Sequence, residues 1–390
     1  MINHNLLLQQ HNVGANSLIK QRARVTKRLC NGSRFQALHR RLIGHLSFLA
    51  ESQKDFDWTD KKRLVQNLCT FALTPAFHSD VTRTAAQLVE AHLFLAEQLD
   101  AVFDAIDITG HMVWQPVLQH IVQQQLLNDE TICKLAARFS PLLEIPERLT
   151  LPAATALHPG QLTLLLRQSN ADIDSLLQRA TATENTNEFQ QDLTWLALSL
   201  HKKGHEQTHS NLMHWFEIAP DSAWVYHAMI ATGREAFTDA LHQGVRNEVI
   251  EASALAFHGD AAHLSFCLEL LESPRFNLPA AELWQLMTNK SLSQIPRLQA
   301  VDEQSTAKGK GEWVSVEEAR SQLTQLNNAT ALWQGKPYST QALSSWCLTA
   351  FGASCELALQ SIWANSSVDC AILPNEPPVQ RLAALGGAAV

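Results

Sequence analysis

The chain has 390 residues, too many for one ordinary compact core, so two or three domains or one extended array of repeats is expected. Apolar residues make up 46% of it, which excludes disorder of the whole chain, and its 15 Gly and 14 Pro leave long stretches free to be helical. A net charge of −8 conceals a partition: residues 1–50 carry Lys20, Arg22, Arg24, Lys27, Arg28, Arg34, Arg40 and Arg41 with no Asp or Glu, so they hold +8 against −16 for the remainder.

Residues 1–36 form this basic segment, and partial disorder is expected there. Such a head suits electrostatic contact with nucleic acid or an acidic partner, an Arg-rich organelle-targeting peptide, or simply a solvated helix face beside the chain's own acidic body. Phe35 is the sole aromatic residue before Phe48, which disfavours base stacking and hence nucleic acid. No apolar run reaches the roughly 18 residues of a membrane span, so no membrane insertion is expected and the cytoplasm is the expected location. Cys30, Cys69, Cys133, Cys267, Cys347, Cys355 and Cys370 are odd in number and lack a CxxC pair, as reduced and mostly buried thiols would be.

From residue 37 the text reads as amphipathic helices of 10–16 residues with short breaks. Patterns run near 60–75, 80–106, 112–127 and 129–142, then stop at Pro146, Pro152 and Pro159. From Asn187 to His201, Phe189, Leu193, Leu196, Ala197 and Leu200 fall on one stripe of a 3.6-residue helix. From Asp260 to Ser273, Leu264, Cys267, Leu268 and Leu271 repeat the pattern behind an Asp suited to cap the helix start. Gly204, Gly233 and Gly259 each end one helical pattern before the next, at spacings of 29 and 26 residues. Stacked helical hairpins follow, so the fold predicted for 37–295 is an all-α array of HEAT-like repeats, an α-solenoid. Residues 296–313 read as a polar linker, and 314–390 as a small helical cap. Its helices are expected near 316–326, 340–351 and 354–364, before a tail containing Pro374, Pro377 and Pro378.

The stretch "HGDAAHLSFCLELLESPRFNLPAAELWQLMTNKSL" from His258, and "LWQGKPYSTQALSSWCLTAFGASCELALQSIW" after the linker, resemble a bacterial family of HEAT-like repeat proteins linked to type VI secretion. Gly259, Asp260 and Ala262 match the family's last repeat; Gly335, Pro337, Thr340 and Leu343 approximate the start of its closing helix pair, and "LHRRLIGHLSFL" from Leu38 is similar to its opening helix. Asn289 stands where that family has a turn glycine. The resemblance implies a non-enzymatic protein-binding scaffold, an accessory adaptor or chaperone whose partners are a secretion effector and spike components. An immunity protein that blocks a cognate toxin is the alternative it leaves open.

A third reading comes from "HEQTH": His205, Glu206 and His209 match the HExxH zinc signature, and His201 lies one turn before them. Gly204 and the two lysines before it read as a turn, which puts His201 on a different helix, so no zinc hydrolase, metal or cofactor is expected. No GxSxG elbow, Walker A loop or GxGxxG fingerprint occurs, and "KGKGEW" lacks the strand and helix that a phosphate cradle needs. Most tryptophans fall inside helical patterns and read as core. Trp313 and Trp333 flank the linker region and are the candidate exposed anchors for a protein partner.

Overall fold

The structure, a computed structural model, describes residues 4–26, 32–53, 55–139, 143–150, 157–166, 176, 189–204, 207–296, 312–326, 332–347, 350 and 352–366. It is mostly helical. The chain divides into two compact units, one of Met1–Ser199, Trp346–Leu359 and Ser367–Val390, the other of Leu200–Ser345 and Gln360–Ser366, so the residues expected to form one array are shared between both. Among the described residues no helix is long and apolar enough to cross a membrane.

In the first unit the helices are α1 (His4–Thr26), α2 (Gly32–Ser52), α3 (Leu64–Ala72), α4 (Pro75–Ser79), α5 (Val81–Glu90), α6 (Ala96–Thr109), α7 (His111–Gln123), α8 (Asp129–Phe139), α9 (Glu147–Thr150) and α10 (Gln161–Leu166). Within the basic segment, α1 is helical over His4–Thr26 and α2 begins at Gly32, while residues 1–3 and 27–31 lie outside the described residues. Ala15, Leu18 and Arg22 recur at helical spacing and are buried, with Leu8 and Ile19 packed beside them, while α2 contributes Leu42, Leu46 and Leu49. The two amphipathic helices, five residues apart in the sequence, bury these faces together. Arg22 is held inside by donating to the Asp107 carbonyl at 3.0 Å and lying over the Phe35 ring.

Further along this unit the packing departs from simple hairpins, since α3 packs on α6 and α5 on α7. Phe71, Phe77 and Trp114 meet edge to face at 5.4 and 5.1 Å in its core, a geometry aromatic rings favour. Asp192, buried at the start of α11 (Gln190–Lys202), accepts from the amides of Gly160 and Thr163, each at 2.7 Å, which satisfies backbone donors at the first turn of α10.

The second unit follows chain order more closely. Helices α12 (Thr208–Ile218), α13 (Ala223–Thr232), α14 (Thr238–Arg246), α15 (Ala262–Glu272) and α16 (Asn277–Thr288) each pack on the next, with a 3-10 turn over Ala252–Phe257 lying on α16. At the end of the first unit the predicted stripe of α11 is observed, because Phe189, Leu193, Leu196 and Ala197 are buried, as is Leu200, where the second unit begins. Leu264, Cys267 and Leu271 of α15 are buried too. Gly204, Gly233 and Gly259 have φ of +68°, +65° and +80°, the conformation expected at each break, and Asn289 adopts φ +57° where a glycine would otherwise end α16.

Two short antiparallel ribbons complete the described secondary structure: β1 (Gln294–Pro296) with β2 (Glu312–Val314), and β3 (Leu332–Trp333) with β4 (Lys336–Pro337). Helices α17 (Val316–Gln325), α18 (Thr340–Cys347) and α19 (Gly352–Asn365) match the three patterns predicted near the C-terminal end. Most of the expected linker, 297–311, and the Pro-containing tail lie outside the described residues. The five described cysteines, Cys69, Cys133, Cys267, Cys347 and Cys355, are buried. Burial pushes the Cys133 thiol up to about 12 and those of Cys69 and Cys267 higher still, so these groups are poor nucleophiles.

Candidate functional site

Residues 258–292 of the first stretch that carries the family resemblance and residues 332–345 of the second come together in the second unit. After the 3-10 turn, the chain reverses at His258, Gly259 and Asp260. Asp260 accepts from the Ala262 amide at 2.9 Å and from the Thr238 hydroxyl; it lies one residue before the N-cap position, Ala261, and ties the start of α15 to α14. Burial alone would raise this carboxyl, but those two donors and the nearby His263 and His258 hold it below the usual carboxylate range.

Three imidazoles line this turn in a directed chain. His258 Nε2–H donates to the Arg234 carbonyl at 3.0 Å, which leaves its Nδ1 to accept from His263 Nε2–H at 2.9 Å. His263 Nδ1 then accepts from His242 Nε2–H, also at 2.9 Å. The terminal carbonyl can only accept, so it fixes the tautomer of all three rings. Burial, followed by the neighbouring His258 and His242, pushes His263 down to about 3, and burial lowers His258 and His242 as well, so the chain is neutral. Sequence reading missed this relay because its members come from α14, the turn and α15.

The ribbon β3–β4 closes on the same turn. Gln334 and Gly335 have φ of +50° and +74°, the pair of positive values that a two-residue hairpin turn needs. Their amides donate to the carbonyls of Leu286 and Met287 at 2.7 Å, satisfying acceptors left open at the end of α16. Tyr338 donates its hydroxyl to the Phe257 carbonyl, and its ring occupies the space a side chain on Gly259 would take. Trp333 packs on Phe257 with centroids 5.0 Å apart and is 1% exposed. It is a core residue, which corrects its assignment as an exposed anchor: the tip of its hairpin is polar, but the strand bearing it turns inward.

Trp313 has a different setting. Its neighbour Val314 is buried, with its amide donating to Asn277 Oδ1 at 2.8 Å, while Asn277 Nδ2 donates to the Leu271 carbonyl at 2.6 Å. Alternation along the strand puts Trp313 on the opposite face from Val314, directly across from Ile295, which is 42% exposed. A half-buried tryptophan and an exposed isoleucine thus sit side by side on a ribbon pinned from behind.

Of the HEQTH string, His205 and Glu206 lie outside the described residues. His201 ends α11, whereas His209 lies on α12, with the turn at Gly204 between them. His201 Nδ1 accepts from Arg234 Nε at 3.2 Å and its Nε2–H donates to Asn365 Oδ1 at 3.1 Å, so both nitrogens are engaged. His209 stacks on Phe237 at 5.0 Å. Among the described residues no group of three or more His, Cys, Asp or Glu side chains is arranged to hold a metal ion. Comparison of the chain with known protein families, with curated proteins and with solved structures finds no match.

Proposed function

We propose that this chain is a non-catalytic, HEAT-like helical scaffold that binds another protein, and that it serves as an adaptor or chaperone for a type VI secretion effector in the cytoplasm. The observation that carries the protein-binding reading is the Ile295–Trp313 pair. An exposed aliphatic side chain beside a tryptophan, held on a ribbon fixed by the buried Asn277, is the kind of rigid apolar anchor on which hot spots form. The secretion role rests on the resemblance. In its support, Gly259, Asp260 and Gly335 occupy positions where their backbone or side-chain properties are used.

The charge of −16 outside residues 1–50 favours a second reading, an immunity protein that covers a basic toxin surface. A zinc hydrolase built on the HEQTH string is the third reading, and His205 and Glu206 of that string lie outside the described residues. Deleting the gene distinguishes them: loss of effector export fits the adaptor, self-intoxication the immunity protein, and loss of a zinc-dependent activity the hydrolase.

Trp313→Ala is expected to reduce capture of the partner by about tenfold or more, since anchors of this type contribute about 2 kcal/mol or more. Its melting temperature should stay within about 2 °C of the parent, as for a surface substitution. Unchanged capture with a clear fall in melting temperature assigns Trp313 to the core instead.

A further inference from the structure

The outward face of α1 carries features that its own fold does not use. Ala15, Leu18 and Arg22 mark the inner face, and on the opposite side Leu6, Val13, Ser17, Lys20 and Arg24 fall on a single stripe. Leu6 is 51% and Val13 64% exposed. Lys20 and Arg24 are one turn apart and exposed, as are Arg40 and Arg41 on the antiparallel α2. Among the described residues no carboxylate pairs with any of these four cations. Cross-helix contacts of His11 with His45 and of Arg22 with Phe35 bracket Arg40 and Arg41, which sets them alongside the middle of α1.

We propose that this stripe docks an acidic amphipathic helix of the partner protein, its leucine-type side chains on Leu6 and Val13 and its carboxylates on Lys20, Arg24, Arg40 and Arg41. The inference rests on the protein-binding reading and gives the partner its chemistry. Charge complementarity carries it: four exposed cations, Lys20, Arg24, Arg40 and Arg41, in a stretch of 50 residues without Asp or Glu attract and orient an acidic segment. Two aliphatic residues continuing the cationic row at heptad spacing suit a helix, whereas phosphate backbones make no use of them. No exposed aromatic side chain accompanies them on α1 or α2 among the described residues, so neither base stacking nor insertion into a lipid surface is favoured.

The test is fluorescence anisotropy with the full chain and a labelled helical peptide of leucine and glutamate heptads. Its lysine counterpart, a DNA duplex and phosphatidylserine vesicles serve as competing probes. The glutamate peptide is expected to bind, and to weaken about tenfold or more between about 50 and 300 mM salt. The double variants Lys20→Glu with Arg24→Glu, and Leu6→Ser with Val13→Ser, should each weaken it by a further factor of about ten. No peptide binding, equal affinity in all variants, or tighter binding of duplex or vesicles would overturn the proposal. Capture of the native partner by the wild-type chain is independent of this result. If the charge-reversed chain captures it equally well, docking on α1 fails while protein binding stands; capture by neither chain removes both.

Discussion

Replacing Gly335 by alanine is expected to lower the thermal transition of the second unit by several degrees. The residue sits at φ +74°, which costs an L-residue roughly 1–2 kcal/mol. Its new Cβ would stand 2.8 Å from the Thr288 carbonyl oxygen, backbone that cannot swing aside as a side-chain tip would. Relief requires the hairpin tip to lift, which weakens the two amide bonds to Leu286 and Met287, each contributing roughly 0.5–1.5 kcal/mol. The total is about 2–4 kcal/mol, or roughly 5–12 °C for a unit of this size. Gly204→Ala is the matched control. It has a similar φ of +68° but open space around the added Cβ, so only the conformational cost of roughly 1–2 kcal/mol applies. Scanning calorimetry on both variants checks the contrast, and equal losses would mean that the β3–β4 clamp does not bear on α16.

The second large effect concerns acid. His263 is 0% exposed and held down to about 3, whereas an unfolded histidine titrates near 6.5. Above about pH 6.5 both states are neutral and the stability that comes from the buried ring is complete. As pH falls from there toward 3, only the unfolded chain takes up the proton, and stability declines by up to about 1.4 kcal/mol per pH unit for each such group. In the first unit His39 and His111, each lowered to about 4 chiefly by burial, act in the same direction. The urea midpoint is therefore expected to drop steeply between pH 7 and 5, and His263→Gln should flatten the slope of the second unit while lowering its stability at neutral pH. A midpoint independent of pH over that window would contradict neutral burial of these rings.

What the sequence made legible was the regular part of the chain. The stripe from Phe189 to Leu200 and the turn glycines at 204, 233 and 259 are local signals, and each was found where periodicity and backbone freedom required it. Helix α1 was obscured because its inner face interposes His11, Asn12 and Arg22 among few apolar residues. Its burial depends on α2 and on the Asp107 carbonyl, 85 residues away. The pairings of α3 with α6 and α5 with α7 are likewise tertiary choices that no local pattern encodes.

The candidate site was legible only in part. Gly259, Asp260 and Gly335 stood out through the resemblance, but their meeting through Tyr338 and Trp333 depends on how the chain folds back between them. The histidine relay had one faint signal, His258 and His263 five residues apart around a Gly-Asp turn. Its third member, His242, is joined to it across helices. Trp313 was singled out from its position beside the linker; that it pairs with Ile295 on the face opposite Val314 depends on the ribbon and was not legible in the sequence.

The measurement that tests protein binding most directly is affinity capture of the tagged chain from its native cells at moderate salt, with Trp313→Ala beside it and bound proteins quantified by mass spectrometry. A near-stoichiometric protein is expected, an effector together with spike components for the adaptor or a lone toxin for the immunity alternative, recovered by the wild-type chain and depleted with the variant. Recovery of no protein above a tag-only control would contradict it.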